Sequence, residues 1–294
     1  MSLTDLAQAV IDGILTGGVY ALMAAGLSLI FGVMDIVNIA QGAMVILGAY
    51  LSYSLSVHLG IDLFVGLLIT VPAMFALGVA VEWGFMRRLR EGDRTSMSIL
   101  ITYAVAIIIE GVLSIIYGVD YVQLQASYVN QSVRVLGFYL PYIYLMGFAM
   151  AVVLLMALYY MLYRTKFGRG VRASLQNRTA ADLIGINVNR IRMLSVGIGV
   201  AVTACGGMVY GATSAFNPGS GYDLISRLLA IVILGGMGSI GGAMAAAVLL
   251  LVLNDVVAVA WSPLWSPLVF FAALVIVLSI RPVGLFGRRI ARAQ

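Results

Sequence analysis

Between residues 6 and 281 the chain is a succession of long, almost uncharged apolar runs, with its basic residues gathered in the gaps between them. A run of about 20 apolar residues spans a bilayer as one helix. Such runs can be soluble only if the rest of the chain supplies polar cover, and it does not. Of 294 residues, 62% are hydrophobic and only 10% charged, against about 25% charged in a typical soluble domain. The composition excludes a soluble enzyme, a nucleic-acid module and a disordered tail. The net charge of +5 is therefore no nucleic-acid footprint. In a membrane chain, what matters is where the positive charges sit.

Fifteen of the 17 Lys and Arg residues fall in three blocks. Arg87, Arg88, Arg90 and Arg94 form the first. Arg164, Lys166, Arg169, Arg172, Arg178, Arg190 and Arg192 form the second, and Arg281, Arg288, Arg289 and Arg292 the third. Only Arg134 and Arg227 lie elsewhere. The positive-inside rule assigns all three blocks to the cytoplasm. Threading the apolar runs between them gives spans at about 6–33, 38–57, 63–86, 97–117, 140–163, 193–215 and 268–281. The stretch 228–260 is too long for one span and breaks at its glycines, making two more. Nine crossings place the start of the chain outside and its end inside. The polar segment 118–139, with Asp120, Gln123, Gln125, Asn130 and Arg134, falls outside. Trp261 and Trp265 mark an interfacial turn. The expected fold is all-α: one polytopic transmembrane helical bundle over 1–294, with eight to nine membrane segments and broken helices. The N-terminus has no basic region and Asp12 interrupts its apolar run, unlike a cleavable signal.

Two breaks resemble each other. Residues 32–44 and 235–244 each run from Gly-x-Met to Gly-Ala-Met and precede a long apolar span. That pattern suits a parallel internal repeat, and transporters set discontinuous helices at matching positions near the substrate path. Asn38, Gln41, Gly42, Gly235, Gly236 and Gly238 are therefore path candidates, although polar groups and glycines here also serve ordinary interhelical packing. Glu82 lies near Arg87 and Arg88 and reads as an ion-paired or snorkelling acid. Glu110 is deeper and has no sequence partner, so it reads as a structural or path-lining group. The loop 164–192 reads as a short basic amphipathic helix over 171–184, stopped by Gly185. It is either a docking element for a soluble partner or an interfacial helix on anionic lipid. The single cysteine, Cys205, excludes an internal disulfide, and the single histidine, His58, offers no metal set. No cofactor is expected. Lys166 is the only lysine and Phe167 follows it, so the chain holds no phosphate-binding Gly-Lys-Ser/Thr loop and does not itself hydrolyse ATP.

Four motifs carry a resemblance over nearly the whole chain. They are Gly26–Gly32 with Ile36–Gly42 and Leu47–Tyr50; Gly168–Ala173 with Gln176–Arg178, Ala180-Ala181 and Leu183–Asn187; Leu234–Ala243; and Arg281–Gly287. In this order and spacing the chain resembles the permeases of branched-chain amino-acid ABC importers, the LivH type. Gln41 departs from the family, where His is common, as do Ile101-Thr102-Tyr103 and residues 118–139. The resemblance implies a permease subunit, not an enzyme, that moves branched-chain or other hydrophobic amino acids across the inner membrane. Urea or a short amide is the alternative cargo, and a stand-alone ion-coupled carrier the alternative class. The implied partners are a second permease, two cytoplasmic ATP-binding subunits, a periplasmic substrate-binding protein, the small-molecule substrate and the lipid bilayer. The resemblance makes 164–192 the coupling loop. Gly168 and Gly185 would bound it, and Arg169, Arg172 and Asp182 would make polar contacts. Ala173, Ala180 and Ala181 would allow close packing, and Asn177 and Ile186 would complete the seat.

Overall fold

The structure, a computed structural model, describes residues 3–86, 94–135 and 137–286. Arg87, Arg88, Arg90, Arg288, Arg289, Arg292 and the side chain of Arg94 lie outside the described residues. Helices dominate: α1 (Leu3–Met34), α2 (Gln41–Leu59), α3 (Leu63–Gly84), α4 (Arg94–Tyr117), α5 (Tyr142–Arg164), α6 (Lys166–Gln176), α7 (Arg178–Leu183), α8 (Val188–Thr213), α9 (Gly221–Gly235), α10 (Ile240–Ala260) and α11 (Ser266–Ile280). One antiparallel hairpin, β1 (Ser132–Val135) and β2 (Phe138–Pro141), stands in the 118–139 region, where no strand is foreseen by the apolar pattern.

Eight helices are long and apolar enough to cross a membrane: α1 to α5, α8, α10 and the last turn-plus-helix 263–280. The segment expected from 228 onward differs in its bounds and length. Its counterpart α9 starts at Gly221 rather than at 228 and has 15 residues, about 22 Å of helix against the ~30 Å of a bilayer core. It is a half-helix.

α1 and α8 form the centre of the bundle and α11 its rim, since α1 and α8 are mostly buried and α11 is almost wholly exposed. The central helices approach closely through small residues, the usual basis of packing where lipid removes the hydrophobic drive. A Cβ on Gly26 would lie 2.5 Å from the Gly199 carbonyl, and one on Gly17 would lie 2.8 Å from Val248 Cα. Helix starts are set by local caps. Asp62 Oδ1 accepts from Phe64 N at 2.9 Å, and Ser239 Oγ accepts from Gly242 N at 3.1 Å.

One end of the bundle carries the described part of the basic blocks. There α3 meets α8, and the tail 281–286 folds against α9, with Leu285 N donating to Leu234 O at 2.8 Å. The opposite end holds the hairpin and the start of α1. Gln8 Nε2 donates to Tyr139 O at 2.7 Å, and Tyr139 N donates to Gln8 Oε1 at 3.0 Å.

Candidate functional site

Two helices begin inside the bundle instead of at its surface. α1 ends at the basic end, where Gly32 rests on Gly238, and Asp35 turns the chain with a φ of 55°, a conformation that a short polar side chain tolerates. Residues 35–40 then climb. α2 starts at Gln41, whose Nε2 donates to Thr203 Oγ1. Thr203 lies fifteen residues into α8, about 22 Å above its start. From the far end of α8, residues 214–220 descend through a 3-10 turn, Pro218–Ser220, to the first residue of α9. Gly221 there packs on Gly42 and Ala43 so tightly that a Cβ on Gly42 would strike the Gly221 carbonyl. The two helix starts therefore meet at one depth.

A small pocket opens at this junction, lined by Ile39, Ala43, Ala106, Glu110, Tyr222 and Ile225 among others. Glu110 reaches it from α4, with Oε1 3.5 Å from where a Cβ on Gly219 would stand. The Tyr222 hydroxyl interacts with Glu110 and with Tyr103. Above the pocket the outer segment closes over the descending strand. Val122 and Phe216 exchange backbone bonds of 2.9 Å, and Tyr50 stacks on Tyr117 at 4.6 Å and edges Phe216 at 5.0 Å.

The expected path residues separate into three groups. Gly42 and Glu110 come together at the pocket. Asn38 and Gln41 lie beside it; Asn38 Nδ2 donates to Gln41 Oε1 at 3.0 Å and Gln41 Nε2 to Thr203 on α8, while Asn38 Oδ1 has no hydrogen-bond partner among the described residues. Both are fully buried and tie the climbing segment to the core. Gly235, Gly236 and Gly238 sit a half-helix away at the basic end. Gly235 packs on Gly242, and Gly236 and Gly238 adopt φ of 96° and 78°. The two resembling breaks thus touch, through Gly32 and Gly238, but only the first leads to a helix that starts at mid-depth.

Glu82 pairs across helices with Arg192, Arg192 Nη2 to Glu82 Oε1 at 3.5 Å, both side chains almost fully buried. Arg87 and Arg88, the partners the sequence pointed to, lie outside the described residues; the pairing with Arg192 comes from α3 packing on α8, which nearness in sequence does not show. Arg227 also lies at membrane depth. It pairs with Asp223 one turn back at 2.9 Å and stands 5.6 Å over the Phe270 ring. Thr203, Tyr222 and this pair were missed by the sequence reading, which marked Tyr103 only as a departure from the family. The one available signal was Asn217-Pro218 ahead of Gly221, a helix-start pattern.

At the basic end, 164–192 forms two helices instead of the single one expected over 171–184. The break is at Asn177, which is extended and caps α7 by accepting from Ala180 N at 2.9 Å. Thr165 caps α6, accepting from Gly168 N at 3.2 Å. Gly168 lies so close to the Leu162 carbonyl that no side chain fits. Arg172 turns back onto that same carbonyl and stands 5.4 Å over the Tyr163 ring. It braces α6 on α5. Ala181 is buried, Ala173 and Ile186 are half-buried, and Arg169, Ala180 and Asp182 are exposed. Gly185 has a φ of 84°, the left-handed helix stop, and Ile186 N then donates to Ala181 O at 3.0 Å. Leu183 is 83% and Ile184 74% exposed. The hairpin therefore presents an exposed apolar tip.

Eight crossing-length helices, a half-helix and a pocket at the helix breaks define a multi-pass membrane permease. The family described as "Branched-chain amino acid transport system / permease component" matches residues 9–278, and the chain belongs to it. It is 28% identical to the high-affinity branched-chain amino acid transport system permease protein BraD of Pseudomonas aeruginosa, over 96% of this chain and 95% of that one. It is likewise 28% identical to LivH of Escherichia coli K12, again over 96% and 95%. Among solved structures it is similar in fold to PsaBC from Streptococcus pneumoniae, with a TM-score of 0.50, 12% identity and coverage of 92% and 91%.

Proposed function

We propose that this chain is the permease subunit of an ATP-driven ABC importer in the inner membrane, moving branched-chain or other hydrophobic amino acids. It works with a second permease, two cytoplasmic ATP-binding subunits and a periplasmic substrate-binding protein. The observation that carries this reading is the exposed apolar tip Leu183-Ile184 on a braced hairpin at the basic end. A lipid-facing interfacial helix buries its apolar face in the headgroups as a continuous stripe. Here the apolar pair projects from a turn, as a plug for a groove on a soluble subunit.

Coupling then has a mechanical route. Asp182 Oδ1 accepts from Val188 N at 3.4 Å, joining α7 to the first turn of α8, and α8 packs along α1, α2 and α3. A shift of the hairpin moves α8, and α8 carries Thr203, the anchor of α2 at the pocket. ATP binding acts by favouring one arrangement of these helices over another.

The test is reconstitution in proteoliposomes with and without the ATP-binding subunits. Uptake should require them and ATP, and Ala180→Glu or Gly185→Arg should abolish the ATPase stimulation while membrane insertion is kept. Uptake by the purified chain alone, driven by a proton gradient and stopped by an uncoupler, refutes the reading.

A further inference from the structure

The pocket at the two helix starts contains a carboxylate with no cation beside it among the described residues. Two ion pairs at membrane depth are Glu82 with Arg192 and Asp223 with Arg227. Among the described residues Glu110 has no such partner; its neighbour is the hydroxyl of Tyr222, which also interacts with Tyr103. An ionisable group at this depth is costly, and chains that keep one pair it or use it. The start of α9, immediately after Gly219, faces the carboxylate. The positive end of a helix dipole supplies only a partial charge and leaves the carboxylate without a full cation among the described residues.

The rest of the pocket says which cation. Ile39, Ala43, Ala106 and Ile225 make an apolar wall on one side. Tyr222 adds an aromatic face and a hydroxyl beside the carboxylate and is itself engaged by Tyr103; both rings are partly exposed. A carboxylate beside a phenol fits a primary ammonium, with its three donors, and the apolar side chains next to it fit hydrocarbon. A neutral urea or amide has no use for the charge. A bare metal ion has too few ligands here.

We propose that Glu110 is the counter-charge for the α-ammonium group of the transported amino acid, held at the junction of α2 and α9 while the substrate passes. The proposal rests on the importer reading above and specifies which group on the substrate this chain recognises. Tyr222, itself engaged by Tyr103, is a positioning residue that holds the carboxylate toward the pocket. The contact is a single charged one, so it selects the ammonium without trapping the substrate.

The test uses the assembled importer with its binding protein in proteoliposomes, measuring leucine uptake and ATP hydrolysis stimulated by leucine-loaded binding protein. Glu110→Gln should lower uptake per ATP hydrolysed by about tenfold or more, the worth of one charge-assisted contact. Stimulated hydrolysis should stay within about twofold, because delivery and docking are untouched. Glu110→Asp, which restores the charge, should recover most of the loss. Unchanged uptake per ATP in Glu110→Gln overturns the proposal and leaves the importer reading standing. So does loss of the second permease on purification of Glu110→Gln, which makes the carboxylate an interface charge. If the wild-type assembly does not take up leucine at all, the importer reading itself fails, and the two failures are told apart by that arm alone.

Discussion

Removing one charge from the Glu82–Arg192 pair should be the most damaging conservative change in this chain. The two groups are 3.5 Å apart with side chains 2% and 3% exposed. At that separation an effective dielectric of ~20 gives an attraction of about 5 kcal/mol, most of which offsets the desolvation of both ions. Breaking a buried pair of this kind by removing one partner costs about 3–5 kcal/mol, whereas replacing both partners by apolar residues is close to neutral. Glu82→Gln and Arg192→Met should therefore each destabilise by that amount, and Glu82→Leu with Arg192→Met should lie within about 2 kcal/mol of the wild type. Reversible unfolding in mixed dodecylmaltoside and SDS micelles, followed by far-UV circular dichroism, reads each value. Additive losses in the double variant would refute the argument, because they would mean that the two charges do not hold each other.

Gly42→Ala should destabilise by at least about 1–3 kcal/mol and impair transport, because the new methyl meets the Gly221 carbonyl and both helix starts are fixed. Gly241→Ala, which meets nothing within 4 Å, should be neutral; equal effects of the two would contradict the close junction. Asn177→Ala should remove the α7 cap, costing about 1 kcal/mol locally, and should lower ATPase stimulation more than Asn177→Asp. Tyr128 donates to Asp62 Oδ2 at 2.7 Å outside the membrane segments, and burial, followed by this bond, raises its pKa above the ordinary 10.0. The protonated phenol is favoured in the fold, so this stabilisation is full below the unfolded pKa of about 10 and is lost as pH rises through the higher folded value. Proteolysis of residues 118–131 should accelerate above that pH in the wild type, and the pH step should vanish in Tyr128→Phe.

Membrane residence, the basic end and the number of long helices were legible in the sequence because each depends on local quantities. An apolar run of sufficient length has few fates other than a spanning helix, and the placement of Arg and Lys orients it. Gly185 as a helix stop was legible for the same reason: a left-handed residue is a local event. The split of the 164–192 helix at Asn177 was missed because amphipathic periodicity runs on across a cap, and only the bond to Ala180 N decides where one helix ends and the next begins.

Depth and partnership were left to the tertiary structure. Nothing local distinguishes an apolar helix that starts at the membrane surface from one that starts half-way through it. α9 and α2 begin inside because α8 holds Gln41 and because Gly42 and Gly221 permit backbone contact. Glu82 meets Arg192, 110 residues away in sequence, a pairing that only the packing of α3 on α8 makes. Glu110 is the case where both levels are needed. The sequence marked it as a deep, unpartnered acid, and its position on α4 against the start of α9 supplied the pocket, the two tyrosines and the absence of any basic neighbour among the described residues. Apolar length and charge placement are properties of one segment at a time, so the sequence determined them. The pocket is a property of three segments meeting, so only packing decided it.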